Sequence, residues 1–190
     1  MAEVVLFHHV HGLTEGVRAF ADQLRAGGHT VHTPDLFEGR TFDTIEEGIA
    51  FSRALGDELD DRAAAAVESL PAELVYGGFS MGVMCAQTLA SRRPGAVGGL
   101  LLHSAIDPQW VGPWPDGVPA QIHAMDADPF FVEEDGDLAA AEAMVAAHER
   151  VELFLYPGDD HLFTDSSLAA YDAEATALVV TRALAFLDAL

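Results

Sequence analysis

The chain has 190 residues, half of them hydrophobic, which suits one compact domain over residues 1–190 and argues against a disordered segment. Nine cationic residues, all arginine, face 31 acidic ones for a formal net charge of -22, which excludes the basic surfaces that hold nucleic acid or anionic lipid. No apolar run approaches the roughly 18 residues of a membrane helix. The amino terminus lacks the basic start of a signal peptide and Cys85 stands alone, so a cytoplasmic location is expected, with no membrane or nucleic-acid partner.

In chain order, Val4–Phe7 reads as a buried strand, followed by a helix over about Glu15–Ala26 that Gly27-Gly28 ends. His29–Thr33 is a second strand, stopped by Pro34, and the polar loop 35–43 leads to helical segments over Ile45–Leu55 and Glu58–Ser69. Glu73–Tyr76 is the third strand, with a helix over Gly82–Ser91 behind it. Gly98–Leu102 and Ala120–Ala124 are the fourth and fifth strands. A helix over Leu138–Ala147, a strand over Val151–Tyr156 and a long helix ending at Leu190 complete the series. Short apolar strands alternating with longer helices predict an α/β fold with a mostly parallel, doubly wound sheet of about six or seven strands. Such sheets bind ligands at the carboxyl ends of their strands, where the strand order reverses, so reactive residues are expected just after strands.

The pentapeptide Gly78-Phe79-Ser80-Met81-Gly82 falls between the third strand and its helix, in the G-x-S-x-G pattern of a nucleophile elbow. Its glycines allow the sharp turn that lifts a serine hydroxyl above the sheet, and the helix amino terminus favours developing negative charge. A serine hydroxyl needs a base, and His161 follows the last strand in Tyr156-Pro157-Gly158-Asp159-Asp160-His161. The acid that orients the imidazole is expected at Asp128, just past the fifth strand, with Asp126 as a rival two residues away. The chain order Ser80, Asp128, His161 agrees with this fold's usual order. For the oxyanion, the backbone N–H of Met81 is one expected donor; Val10 in the turn His8-His9-Val10-His11-Gly12 is the second, with His11 as its rival.

These stretches resemble the dienelactone hydrolase family, α/β-hydrolases without a large cap domain. The likeness runs over nearly the whole chain, through His8–Gly12, Thr33–Phe37, Gly78–Gly82, Met125–Phe131 and Gly158–Phe163. It implies the same nucleophile, acid and base: Ser80, Asp128 and His161. The enzymes that name the family carry a cysteine where this chain has Ser80, a glutamate at the position of His9, and a substrate-binding arginine at the position of Asp165. The departures imply a related esterase or lactonase acting on a small-molecule ester, and Asp165 is expected to repel an anionic lactone if it faces the pocket.

Seven of the nine histidines, His8, His9, His11, His32, His103, His123 and His161, lie at or near strand carboxyl ends. No carboxylate or cysteine falls at a tight ligand spacing with them, so no metal and no cofactor are expected; they are read as polar pocket-lining residues, His9 and His11 among them, with His103 and His123 partly buried. Trp110 and Trp114 in the proline-rich loop after the fourth strand, and Phe130 after Asp128, are further pocket candidates, with packing as the alternative. Arg40 is expected to face solvent, and Cys85 to pack inertly. Acyl transfer through the same three residues, or ligand binding without catalysis, are the competing functions. The pattern specifies no oligomeric state.

Overall fold

The computed structural model of the chain describes residues 1–132 and 136–190. Six strands form one parallel sheet: β1 (Glu3–Phe7), β2 (Thr30–His32), β3 (Leu74–Phe79), β4 (Ala96–Leu102), β5 (Ala120–Met125) and β6 (Val151–Tyr156), in the order β2-β1-β3-β4-β5-β6. The helices are α1 (Glu15–Ala26), α2 (Ile45–Leu55), α3 (Asp57–Glu68), α4 (Met81–Arg92), α5 (Pro108–Val111), α6 (Pro129–Val132), α7 (Asp137–Ala147) and α8 (Ala173–Asp188). This is the doubly wound α/β-hydrolase arrangement expected from the alternation of elements. None of the helices among the described residues is long and apolar enough to cross a membrane.

Strand alternation divides the core into two layers. Val5 and Phe7 of β1 join Tyr76, Leu101 and Ile122 under α3, α4 and α7, while Val4 and Leu6 join Val75, Leu100 and Leu102 under α1 and α8. Helix starts follow from capping: Thr14 Oγ accepts from the Val17 N–H, Thr44 Oγ from Glu47 and the Asp172 carboxylate from Glu174 and Ala175.

The chain leaves β1 toward β2 and returns to β3 on the other side, so the order reverses between β1 and β3. In open sheets of this kind ligands bind at such a reversal, which here lies between the turn after β1 and the elbow after β3. β3 runs three residues past the expected Tyr76 end, through Gly77-Gly78 to Phe79. Strand propensity disfavours this glycine pair, but packing requires it: a Cβ on Gly78 would lie 2.2 Å from the Gly82 backbone.

Candidate active site

Ser80 occupies the bend between β3 and α4 with φ 49° and ψ -112°, outside the conformations favoured by L-residues. Its N–H donates to Leu102 O at 2.7 Å, which ties the bend to the end of β4. A Cβ on Gly82 would meet Phe7 O at 2.4 Å and His8 O at 2.7 Å, so the glycine lets α4 start directly against the end of β1. The elbow and the β1 turn are thereby neighbours.

The loop after β6 brings His161 to the serine. Its Nε2 accepts from Ser80 Oγ at 2.9 Å, and its Nδ1–H donates to Asp128 Oδ2 at 2.6 Å. Asp128 is fully buried, and its other oxygen accepts the Phe130 N–H at 2.9 Å. Folding therefore joins the three residues in one hydrogen-bonded line, though 81 positions separate Ser80 from His161. Asp126 is exposed and serves elsewhere: its Oδ1 accepts the Gly158 N–H at 3.1 Å, pinning the loop that carries His161. Phe130 tilts against the His161 ring at 4.7 Å between centroids, so this pocket candidate does border the site.

The turn after β1 presents two peptides. The His11 N–H donates to His9 Nδ1 at 3.3 Å, whereas the Val10 N–H finds no acceptor among the described residues. His11 is buried beside His9, with its Nδ1–H donating to Phe42 O at 2.8 Å.

Three pocket expectations are corrected. His9 is fully buried and hydrogen-bonded through Nε2 to Asp165 Oδ2 at 2.8 Å. Trp114 is buried with its ring over Gly99, and borders a groove of about 380 Å³ near the amino end of β4, at the opposite end of the strands from Ser80. Trp110 on α5 is 74% exposed, facing solvent. The cause is common to the two tryptophans: the loop after β4 folds back along the sheet, so Trp114 fills the space that Gly99 leaves empty.

Asp165 does not face the pocket either. It is buried and accepts from Thr14 Oγ and Ser167 Oγ at 2.5 Å and from the Ser167 N–H at 2.8 Å. Hydrogen bonds from His9, Ser167 and Thr14 outweigh burial and hold its carboxyl well below the usual range. For His9 the balance is opposite: burial lowers its pKa although Asp165 opposes the shift.

His103, expected at a strand's carboxyl end and partly buried, is fully buried beside His161. It follows β4 at φ 67°, with Nε2 bonded to Thr164 Oγ at 2.7 Å and its ring edge-on to His161 at 5.9 Å. Burial and the neighbouring histidines keep it neutral, so it adds no charge against an imidazolium at His161. Cys85 is buried, which pushes its thiol up to about 12, and it packs as an apolar residue.

The fold is shared with characterised hydrolases. A dienelactone hydrolase-like promiscuous phosphotriesterase from metagenomic libraries superposes with a TM-score of 0.75 at 18% identity, over 100% of this chain and 87% of that one. Carboxyl esterase 2 of Tuber melanosporum superposes with a TM-score of 0.70 at 14% identity, over 100% and 78%. The esterase domain of a Rhodothermus marinus protein gives 0.58 at 16%, over 97% and 85%. No curated protein matches the chain by sequence. The dienelactone hydrolase family model, in contrast, matches residues 1–190 from end to end, and the chain belongs to that family.

Proposed function

We propose that the chain is a serine hydrolase that cleaves small carboxylic esters or lactones, with Ser80 as nucleophile, His161 as base and acid, and Asp128 as its orienting carboxylate. The observation that carries this reading is the line of hydrogen bonds at 2.9 Å and 2.6 Å from Ser80 Oγ through His161 to Asp128. Membership of a hydrolase family supports it.

In this reaction Ser80 Oγ attacks the carbonyl carbon while its proton passes to His161 Nε2. The imidazolium is stabilised by the buried Asp128, whose negative charge is close and poorly screened. The carbonyl oxygen becomes an oxyanion, received by the N–H of Met81 at the start of α4 and by the N–H of Val10. As the tetrahedral species collapses, the alkoxide takes the proton from His161 Nε2 and departs. Water then repeats the sequence on the acyl-serine to release the acid.

Incubation with a fluorophosphonate probe and turnover of p-nitrophenyl acetate test the assignment together. Wild type is expected to label and to hydrolyse the ester. Ser80→Ala should do neither, with kcat lower by several orders of magnitude. Labelling that persists in folded Ser80→Ala would sink the assignment.

A further inference from the structure

Two departures from the family pattern, His9 and Asp165, lie 156 positions apart in the chain and are one structure in the fold: Nε2 of His9 meets Oδ2 of Asp165 at 2.8 Å. We propose that His9, clamped by Asp165, is a positioning residue that turns the Val10 N–H toward the oxyanion site beside Ser80. The inference rests on the serine-hydrolase reading and adds a residue that touches no substrate.

The geometry fixes the proton on His9 first. Its Nδ1 accepts the His11 N–H at 3.3 Å, so the neutral ring carries its hydrogen on Nε2 and donates it to Asp165. Asp165 in turn grips the far end of the same turn, because Thr14 Oγ, the cap of α1, donates to its Oδ2 at 2.5 Å. The carboxylate fits only because residue 16 has no side chain: a Cβ on Gly16 would overlap Asp165 Oδ1. One buried carboxylate therefore braces the connection from β1 to α1 at both ends.

The two peptides flanking the Val10 α-carbon are then pinned from opposite sides. His9 O accepts the Gly12 N–H at 3.0 Å and the His8 Nδ1–H at 2.8 Å. Across that planar trans peptide the Val10 N–H points the other way, out of the turn. In the next peptide the N–H is captured by the His9 ring, while Val10 O lies where any Cβ on Gly48 would stand. With the His11 N–H occupied, the Val10 N–H is the donor left for an oxyanion. The Val10 N–H belongs to the 9–10 peptide, and the His9 ring closes the turn that carries it by tying residue 9 to the His11 N–H; without the Nδ1 acceptor that closure is lost and the Val10 N–H is held less firmly.

Two amide replacements separate the two edges of the ring. His9→Asn keeps an acceptor near the Nδ1 position and abandons Asp165; His9→Gln keeps a donor near Nε2 and abandons the His11 N–H. With p-nitrophenyl acetate, His9→Gln should lose about 10- to 100-fold in kcat with KM within about threefold, short of the 10²–10³ for a whole donor. His9→Asn should keep kcat within about fivefold of wild type despite a lower Tm, because the buried Asp165 loses a partner. Equal losses of kcat in both, tracking Tm, or an unimpaired His9→Gln, would overturn the proposal.

Amide NMR spectra of wild type before and after phosphonylation of Ser80 test it without any substitution. The Val10 amide proton should move downfield and that of His11 should stay; the reverse would overturn the proposal. A wild type that neither labels nor turns over ester would instead defeat the serine-hydrolase reading itself.

Discussion

At Ser80 the backbone holds φ 49°, a conformation that costs on the order of 1–3 kcal/mol for a residue with a side chain. The cost is offset locally by the Leu102 hydrogen bond and by the fit of Gly78 against Gly82, so the strain persists in the folded state. Two carboxylates two residues apart then take different tasks because their environments differ. Asp128 is buried with both oxygens engaged, one by His161; Asp126 is exposed and bonds backbone. Asp128→Asn should therefore lower kcat about 10⁴-fold through loss of the oriented tautomer. Asp126→Asn should cost less than about tenfold, through loosening of the 158 loop. Steady-state ester hydrolysis by both variants decides it, and a larger loss in Asp126→Asn would reverse the assignment. The three residues that meet in the hydrogen-bonded line, Ser80, His161 and Asp128, were legible in the sequence because each is anchored to a strand end and a local motif. Asp165 was not, since its meaning lies in a contact with His9 that neither segment encodes alone.

Among the elements, two further buried histidines, His8 after β1 and His123 on β5, hold the strand ends together. His8 accepts the Leu36 N–H at 3.0 Å, fastening the loop after β2, and burial lowers its pKa to about 4. His123 on β5 lies between Gln121 and the Tyr156 hydroxyl, stacked on Phe154, with burial as the main cause of a pKa of about 3. The sign follows from proton counts. Between pH 6.5 and these values the unfolded chain binds protons that the folded chain refuses, so stability falls as the pH falls. His8 alone removes on the order of 3 kcal/mol by pH 4. His123→Phe keeps the stacking and loses two hydrogen bonds, so it should be less stable at pH 7. Its stability should also decline less steeply between pH 6 and 4, by about 1.4 kcal/mol per pH unit. Urea unfolding across that range measures the slope, and an unchanged slope would show that His123 is protonated in the folded chain. The periodicity located every sheet strand and the long helices, because their apolar alternation is local. It missed α5 and α6, single turns that start at Pro108 and Pro129 without an apolar stripe, and it ended β3 early at glycines whose role is tertiary.

For the molecule as a whole the formal net charge is -22, and the family resemblance implies a substrate-binding arginine at a position where this chain has an aspartate. Asp165 stands at that place, and its charge is spent on His9, Thr14 and Ser167, so it attracts no cation from solution and repels no anion at contact. Arg40 lies close to the turn, its carbonyl facing Gly12, but its guanidinium stacks over Phe51 at 5.2 Å and is exposed. Selection against anionic esters is therefore expected from the summed field of the surface, which acts at a distance and is screened by salt. Raising the ionic strength from 0.01 M to 1 M shrinks the screening length from about 30 Å to about 3 Å. At low salt, p-nitrophenyl acetate should be hydrolysed with at least about tenfold higher kcat/KM than the monoanionic p-nitrophenyl hemisuccinate, because the field lowers local anion concentration. At 1 M salt most of that gap should close through the anionic substrate alone, with the neutral ester's kcat/KM constant within about twofold. A gap that survives high salt would place the selection in a contact inside the crevice, and a gap absent at both salts would mean that the acidic surface plays no part in choosing substrate.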